Sequence, residues 1–260
     1  MKAIITGSSG AVGTALRAHL EDNGAHVIGW DRNRVPVTDT TAMEQFVRLE
    51  GADVLFHLAT ASQPTGIDNE DWIVHAEWTA QLARLTRALR VPFVFTSSVM
   101  VFTDDAKGPF TPGSTPDARS GYGYEKLMGE KRALEINPGA VVARLGWQIG
   151  SGPGSNNMID HLVKQQAEHG EIRASRRWYP ACSFLADTAD ALGRLSASAP
   201  GLYLLDSNRR WTFYAIVNAL NAHHGGAWQV VPDDAFVYDQ RMVDPRAGLP
   251  SLKERLPALS

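Results

Sequence analysis

The sequence of 260 residues contains one cysteine, Cys182, which we expect to be a small buried residue. A single cysteine excludes an intramolecular disulfide and any zinc cluster built from several cysteines, and we predict no metal site. The chain also lacks a basic excess, because 25 Lys and Arg face 28 Asp and Glu for a formal net charge of -3. Without a basic surface, binding to nucleic acid is not expected.

Long apolar runs are absent as well. No stretch reaches the roughly 18 consecutive apolar residues that a membrane helix requires. The apolar run near the amino terminus, residues 3–5, is far shorter than the core of a signal peptide. We therefore expect a cytoplasmic protein with no membrane partner. Its hydrophobic content of 44% is enough for a sizeable core and too high for a disordered chain.

The first half of the sequence does contain a regular alternation of two periodicities. Short apolar runs predict strands, and the helical spacing of apolar residues between them predicts helices. Short loops join these elements, which is typical of a parallel sheet covered by helices on both faces. The predicted fold class is therefore α/β, a Rossmann-type doubly wound parallel sheet. The predicted strands cover residues 3–5, 26–30, 53–57, 92–96 and 140–143, and the predicted helices cover 11–23, 41–49, 71–89 and 122–136.

The second half is less regular. Residues 150–157 are predicted to form a loop, because they are rich in turn residues. We expect residues 1–145 to form a dinucleotide-binding domain, and residues 146–260 to complete the sheet and form a small C-terminal substrate-binding lobe. The predicted helices of this half cover residues 158–169, 188–195 and 212–223, and the predicted strands cover 202–205 and 228–231.

A glycine-rich turn separates the first predicted strand from the first predicted helix. Its glycines at positions 7, 10 and 13 follow the spacing of a dinucleotide-binding loop, whose backbone approaches a pyrophosphate at a helix amino terminus. An ordinary loop with turn glycines is the alternative, but the strand before and the helix after favour the binding function. The predicted coenzyme contacts in this loop are Gly7, Ser9, Gly10, Ala11, Val12 and Gly13.

The second predicted strand is followed by Asp31, 18 residues after Gly13. A carboxylate near this position accepts hydrogen bonds from the ribose hydroxyls of NAD and repels the 2′-phosphate of NADP. Arg32 and Arg34 point the other way, because a guanidinium pairs well with a phosphate. We predict that Asp31 and Arg32 contact the coenzyme, with NAD(H) favoured and NADP(H) left open. A turn-forming role for Asp31 is the alternative.

A candidate catalytic set comes from one predicted helix and one predicted strand. Tyr122 and Lys126 lie four residues apart, so their side chains share one face of a helix. A free phenol has a pKa of about 10, which a neighbouring ammonium and an oxidised nicotinamide ring would lower. Ser98 lies just past the fourth predicted strand, at the sheet edge where ligands bind in parallel α/β proteins. We predict Ser98, Tyr122 and Lys126 as catalytic; an amphipathic surface helix and a turn-forming hydroxyl are the alternatives.

Together, the glycine loop, Ser98 and Tyr122-x-x-x-Lys126 resemble the extended short-chain dehydrogenase/reductases. Within that superfamily the sequence is most similar to the dTDP-4-dehydrorhamnose reductase family. Residues 97–102 and 122–130 carry this resemblance, as does Arg144-x-x-Trp147. Residues 57–60 resemble the family's coenzyme-lining segment, which implies that the coenzyme contacts Leu58, Ala59 and Thr60.

The resemblance implies an NAD(P)-dependent oxidoreductase that reduces a keto group of a nucleotide-activated sugar, with a homodimer as the expected assembly. In the implied mechanism the coenzyme delivers hydride to the carbonyl carbon, Tyr122 protonates the oxygen and Ser98 polarises the carbonyl. Lys126 holds the nicotinamide ribose and also tunes Tyr122.

The sequence departs from the family's pattern at three positions. Val99 and Met100 replace an acid and a tyrosine, and His75 replaces an asparagine. Related dehydratases carry an Asp-Glu pair where Val99 and Met100 stand, so dehydration is not expected. Two alternatives stay open. One is an NAD-dependent sugar-nucleotide epimerase, and the other is a non-catalytic regulatory subunit that binds a dinucleotide or a sugar nucleotide.

Three further residues are predicted, together with Ser98, to contact the substrate. Trp147 precedes the turn-rich loop, and Asn157 is its last residue. Arg177, which follows Arg176, offers bidentate hydrogen bonds to a diphosphate. The alternatives are a core tryptophan, a helix N-cap and a solvated arginine pair.

Overall fold

The centre of the fold is a six-stranded sheet in which every strand runs parallel to its neighbours. The computed structural model describes residues 1–61, 65–150 and 156–259. The strands of this sheet are β1 (Lys2–Thr6), β2 (His26–Gly29), β3 (Val54–His57), β4 (Phe93–Ser98), β5 (Val141–Leu145) and β10 (Gly201–Leu205). They lie in the order β10-β5-β4-β3-β1-β2, which confirms the predicted doubly wound parallel sheet.

Helices cover both faces of this sheet. Ile4 and Ile5 are consecutive in β1, so their side chains point to opposite faces. Ile5 joins a core that includes Leu16 and Leu192, and Ile4 joins a second core that includes Trp78. The helices of this part are α1 (Ala11–Asp22), α2 (Thr40–Glu50), α3 (Glu70–Trp72), α4 (Trp78–Leu89), α5 (Gly121–Ile136) and α7 (Leu185–Leu195).

The position of β1 between β2 and β3 determines where a ligand can bind. The chain leaves β2, passes through α2 and returns on the other side of β1, so the winding direction reverses between β1 and β3. At such a reversal the loops after the two strands turn apart and leave a crevice at the carboxyl ends of the strands. Gly7 follows β1 and Leu58 follows β3 at this crevice.

A third hydrophobic core is formed by two stretches of the chain after β5. One stretch precedes α7 and the other follows β10. Leu162, Ile172 and Phe213 are among its buried members. The remaining strands form three two-stranded parallel pairs. These elements are β6 (Trp147–Ile149), α6 (Met158–His169), β7 (Ile172–Ser175), β8 (Trp178–Tyr179), β9 (Cys182–Phe184), α8 (Phe213–His223), β11 (Val230–Asp233), β12 (Tyr238–Asp239) and α9 (Leu252–Arg255).

The predicted helices and strands of this second half are present, with small shifts in their bounds. The predicted turn-rich loop lies mostly outside the described residues, because residues 151–155 fall in a gap. β10 and α7 belong to the main sheet and its core, whereas β6 to β9 and α8 do not. The division at residue 145 stays a prediction. In the described parts of the chain, no helix has both the length and the apolar character to cross a bilayer.

Candidate active site

The glycine-rich loop connects β1 to α1 at the crevice. Gly7 has a left-handed backbone (φ 67°), and a Cβ placed on it would lie 2.8 Å from the backbone of Ala59. A Cβ on Gly13 would lie 2.1 Å from the Gly7 carbonyl oxygen, so packing within the chain alone requires glycine at both positions. Gly10 is different, because a Cβ there would meet one atom within 4 Å, the Gly7 oxygen at 3.4 Å. The open side of Gly10 and the amino terminus of α1 suit an incoming pyrophosphate.

The segment after β3 is fastened to the glycine-rich loop by one hydroxyl group. Thr6 Oγ1 accepts hydrogen bonds from the backbone N–H groups of Leu58 (3.1 Å) and Ala59 (3.2 Å). Both lone pairs of the oxygen are then in use, so Thr6 donates its own proton to His57 Nδ1 at 2.7 Å. This arrangement fixes the two strand ends that line the coenzyme crevice. Thr60 is exposed at the end of the segment.

His57 is fully buried and continues this chain of hydrogen bonds. Its Nε2 lies 3.0 Å from Thr79 Oγ1, and that hydroxyl donates to the carbonyl oxygen of His75 at 2.8 Å. Since the proton of Thr79 is used there, His57 donates from Nε2 and accepts at Nδ1. Burial, followed by the charge of Lys126, lowers the pKa of His57 well below its usual value. A neutral His57 is consistent with this single tautomer.

At the end of β2, the predicted coenzyme contact Asp31 has an exposed side chain. Its Oδ1 accepts a hydrogen bond from the backbone N–H of Asn33 at 2.9 Å, so the carboxylate also shapes the turn. Arg32 does not extend freely, because its guanidinium donates to Glu70 at 3.0 Å. The carboxyl group of Glu70 in turn accepts from Thr65 N at 2.6 Å.

Another cation near the end of β2, Arg17, was not predicted from the sequence. A Cβ on Gly29 would lie 2.7 Å from the Arg17 guanidinium and 2.5 Å from Ser8 Oγ. Arg17 is on α1, where it also forms an ion pair with Glu21 at 3.5 Å. Because helical side chains lean towards the amino terminus, the guanidinium reaches up towards the loop. Arg17 lies seven positions after Gly10, a spacing that does not by itself indicate coenzyme binding.

The three predicted catalytic residues come together at the carboxyl end of β4. Ser98 is its last residue and Tyr122 lies in the first turn of α5. Burial raises the pKa of Tyr122 to about 12, a hydrogen bond with Ser98 acts against this rise, and the charge of Glu125 adds to it. Ser98 Oγ also accepts from Met100 N at 3.1 Å, which orients the hydroxyl. Tyr122 is therefore a protonated phenol beside a serine hydroxyl.

Lys126 lies one turn further along α5 and is 1% exposed. Its ammonium group donates to the Thr96 carbonyl at 3.1 Å and lies 5.0 Å from the centre of the Phe95 ring. Burial lowers the pKa of Lys126 to about 7, against the charges of Glu130 and Glu125, which raise it. An ammonium has three N–H donors, so ribose hydroxyls at this position would supply acceptors that suit it.

A buried ion pair anchors α5 to the sheet. Arg144 on β5 donates two hydrogen bonds to Glu130, from Nε (2.8 Å) and Nη2 (2.7 Å), with both side chains at most 5% exposed. The guanidinium also lies 5.1 Å from the centre of the Phe102 ring. Glu130 is four residues after Lys126, so this pair holds the helix that carries the candidate catalytic residues Tyr122 and Lys126. A sequence offers no signal for pairing residues 14 positions apart.

His75 is a further member of the site. Its imidazole lies edge-on to the Tyr122 ring, with centroids 5.2 Å apart. With Asp71 and Glu125 it forms a group whose potential ligand atoms all lie within 4.8 Å of one another. The predicted absence of a metal stays a prediction. In the sequence, His75 was noticed solely as a departure from the family's asparagine.

Trp147, predicted to contact the substrate, is half-buried in an aromatic cluster. Its ring stacks against Trp178 (centroids 6.1 Å apart) and Phe213 (5.9 Å), and His161 meets it edge-on at 5.2 Å. The tryptophan thus contributes to the packing of the C-terminal region. Its contact with a substrate stays a prediction.

The other two predicted substrate residues lie on either side of α6 and β7. Asn157 is the N-cap of α6, where its side chain accepts from Asp160 N at 2.9 Å and donates to the Asp160 carboxylate at 2.6 Å. Arg177 is exposed, and its neighbour Arg176 pairs with Asp234. The N-cap role of Asn157 is present, and substrate roles for Asn157 and Arg177 stay predictions.

Known proteins share this fold. The RmlD substrate binding domain family matches residues 1–219. A dTDP-4-dehydrorhamnose reductase from Streptomyces griseus is 26% identical over 200 residues, which cover 75% of this chain and 65% of the relative. A dTDP-4-dehydrorhamnose reductase structure from Clostridium acetobutylicum has a TM-score of 0.83 at 20% identity, covering 100% of this chain and 98% of that chain. Another from Bacillus anthracis, in complex with NADP, has a TM-score of 0.83 at 18% identity and covers 99% and 98%.

These similarities differ in what they establish. The solved structures share the fold at low sequence identity. The match to the curated relative spans just under two thirds of that protein's length, 65%. The family match extends from the first strand into α8 and includes Ser98, Tyr122 and Lys126. The chain therefore belongs to the RmlD substrate binding domain family.

Proposed function

We propose that this protein is an NAD(P)(H)-dependent reductase of a keto group on a nucleotide-activated sugar. The observation that carries the proposal is the Ser98–Tyr122 pair at the carboxyl end of β4, with Lys126 buried one turn along the same helix. These three groups suit protonation of a carbonyl oxygen at the sheet edge where ligands bind. The named activity of the reductase relatives supports the same chemistry.

The proposed role of each side chain follows from its protonation and its hydrogen bonds. A bound nicotinamide dinucleotide would supply the hydride. Tyr122 is protonated because burial raises its pKa to about 12, so it can donate to the developing alkoxide. Ser98 donates a hydrogen bond to the same oxygen and polarises the carbonyl. Lys126 would hold the nicotinamide ribose through donors that point away from the Thr96 carbonyl.

The coenzyme preference is proposed as NAD(H) with NADP(H) also accepted. The exposed carboxylate of Asp31 supports NAD(H), because it offers an acceptor to ribose hydroxyls and repels a phosphate. Arg17 supports acceptance of NADP(H), because its guanidinium lies beside Gly29 at the same end of β2. Arg32 supports neither strongly, since Glu70 holds its guanidinium.

For the sugar nucleotide, we propose that Ser98 binds the keto group and the C-terminal region binds the remainder. The half-buried face of Trp147 suits stacking with a base or a sugar. Arg177 is exposed and offers bidentate hydrogen bonds to a diphosphate. Asn157 would contribute through α6, whose amino terminus it caps.

A sugar-nucleotide epimerase is the second candidate. Asp31 is the observation that favours it, because an epimerase retains NAD through the cycle and needs the same Ser98 and Tyr122. A dehydratase is disfavoured because Val99 and Met100 offer no acid or base after Ser98. Net consumption of the reduced coenzyme separates reductase from epimerase.

The test is an assay of purified protein with NADH or NADPH and dTDP-4-dehydrorhamnose, followed at the absorbance band of the reduced nicotinamide. We expect oxidation that depends on the sugar nucleotide and that Tyr122→Phe slows about 10²–10⁴-fold. Tyr124→Phe is the matched control, because Tyr124 is a phenol on the same helix that stacks on Trp72 instead. Coenzyme binding without oxidation, together with isomerisation of the sugar, would replace the reductase by the epimerase.

A further inference from the structure

The helix that faces α5 contains an irregular turn beside Tyr122. Between α3 and α4, residues Ile73–Glu77 form a π-helical turn. Such turns hold one extra residue, break the regular order of side chains and are frequent at functional sites. This one carries His75, which is 2% exposed. The carbonyl oxygen of His75 would lie 2.4 Å from a Cβ on Gly129, so the two helices approach closely here.

Both ring nitrogens of His75 have assignable roles. The backbone N–H of Ala61 donates to Nε2 at 3.4 Å, so Nε2 carries the lone pair. The proton of the neutral ring therefore lies on Nδ1, which donates to Glu125 Oε2 at 2.9 Å. Burial, followed by the charge of Lys126, lowers the pKa of His75 to about 3, so the ring is neutral near pH 7. His75 thus joins the coenzyme-lining segment to the catalytic helix.

This tautomer also decides what the cluster with Asp71 can do. The Nδ1 atom carries a proton, which it donates to Glu125. A metal ion that took the Nδ1 lone pair would move this proton to Nε2, against the N–H of Ala61, and one that took the Nε2 lone pair would displace that N–H. The cluster is therefore better suited to holding a carboxylate than to holding a cation.

The carboxylate that His75 holds acts on the catalytic phenol. Charged or titratable groups face Glu125 from α3 (Asp71), from the π-helical turn (His75) and from α5 itself (Lys126). Burial and the charge of Asp71 raise the pKa of Glu125, and Lys126 lowers it. Glu125 in turn raises the pKa of Tyr122, which it follows by three residues.

We propose that His75 and Glu125 form a positioning pair that ties Ala61, the residue after the coenzyme-lining segment, to α5 at the edge of the Tyr122 ring. His75 contributes the contacts with Ala61 and Tyr122, and Glu125 orients the imidazole through Nδ1. The pair thereby sets where the phenol lies relative to the bound coenzyme. Its effect on reduction rests on the proposed reductase function.

Three substitutions of His75 separate its two contacts. His75→Leu removes both contacts. His75→Asn keeps an amide donor where Nδ1 donates to Glu125 but is too short to replace Nε2, whereas the longer His75→Gln side chain offers an amide acceptor to Ala61. We expect His75→Leu and His75→Asn to bind NADH about 2- to 12-fold more weakly by calorimetry, the range for one lost hydrogen bond. We expect His75→Gln to restore most of that affinity. Unchanged binding in all three variants would overturn the tie to Ala61.

The charge is tested by titrating Tyr122 directly. Carbon-13 labelling of tyrosine rings reports the phenolate by nuclear magnetic resonance, and Tyr122→Phe identifies the signal. Because the charge of Glu125 raises the pKa of Tyr122, Glu125→Gln is expected to lower the midpoint. Glu135→Gln is the matched control, since Glu135 is exposed on the same helix. An equal midpoint in Glu125→Gln and Glu135→Gln would overturn the role of Glu125.

Neither readout requires a sugar nucleotide, which keeps the two proposals separable. A protein that binds NADH and shows both shifts, yet reduces no sugar nucleotide, would refute the proposed function and leave the positioning pair in place. A protein that reduces the sugar nucleotide without either shift would refute the pair alone. Thermal unfolding of each variant identifies any loss that comes from misfolding.

Discussion

The coenzyme side of the molecule and its C-terminal region use polar and aromatic side chains in different ways. On the coenzyme side, Ser98, Tyr122 and Lys126 lie at a strand end and a helix start, and buried groups behind them hold their positions. In the C-terminal region, Trp147 and Asn157 take part in the packing and capping of their own elements. Under the proposed function, chemistry is localised on one side, whereas substrate recognition is distributed over surfaces that also stabilise the fold.

This difference determines which substitutions should separate activity from stability. A functional group at the sheet edge can be removed while the buried scaffold behind it remains. A side chain in the C-terminal region cannot be removed without loss of packing, so conservative changes are needed there. Four sets of substitutions test this contrast, from the largest expected effect to the smallest.

Tyr122→Phe should give the largest loss of activity with the smallest change in structure. Removing a general acid typically costs about 10²–10⁴-fold in rate. The ring remains, so its edge-on contact with His75 is kept. Single-turnover reduction and calorimetric binding of NADH measure the two parts. A ten-fold loss or less would mean that another group protonates the substrate.

Breaking the buried Arg144–Glu130 pair should destabilise the protein most. Arg144→Met leaves the carboxylate of Glu130 buried without its partner, which typically costs about 3–5 kcal/mol. Urea unfolding measures the loss. The double variant Arg144→Met/Glu130→Met removes both charges and should recover much of the stability. If the double variant were as unstable as the single one, the loss of stability would come from packing and not from an unpaired buried charge.

Lys126→Met should reveal a cost of burial that depends on pH. Because burial lowers the folded-state pKa of Lys126 to about 7, the unfolded chain binds more protons than the folded protein between about 7 and its ordinary pKa. Wild-type stability therefore gains up to about 1.4 kcal/mol per pH unit in this window as pH rises. Without coenzyme, the methionine variant should be the more stable at pH 7, and its advantage should shrink at higher pH. A constant difference in urea unfolding from pH 7 to 9 would contradict a neutral buried lysine.

Trp147→Phe should have the smallest effect and the most selective one. Phenylalanine keeps part of the stacking on Trp178 and Phe213, so stability should change little. If the indole stacks on the sugar nucleotide, its loss should raise KM for that substrate about five- to ten-fold, within the energy of an aromatic pair. KM for NADH should not change. Trp228→Phe is the control, because Trp228 follows α8 and stacks on His224. Equal effects of the two changes would remove Trp147 from the substrate site.

On the coenzyme side, the sequence predicted where the candidate residues lie, because local pattern defines their positions. Gly7 and Gly10 lie between a strand and a helix, and Tyr122 and Lys126 lie one helical turn apart. His75 could not be found this way, since its direction depends on an extra residue in a π-helical turn. Arg17 could not be found either, because its guanidinium meets Gly29 through folding alone.

The C-terminal region shows a different limit of prediction. An asparagine before a helix has the same local pattern whether it caps the helix or binds a ligand, and Asn157 does at least the first. The stacking partners of Trp147 come from β8 and α8, which the sequence alone does not bring together. Such residues are recognised as neighbours only once long-range packing is known.

The burial of Lys126 also links coenzyme binding to the proton concentration. In the protein without coenzyme, the amine has a pKa of about 7 and is therefore protonated in only part of the molecules near neutrality. Ribose hydroxyls that accept from it would favour the ammonium, so binding the coenzyme becomes a proton-uptake reaction. The heat of binding should then vary with the ionisation enthalpy of the buffer, and affinity for the coenzyme should weaken as the solution becomes alkaline.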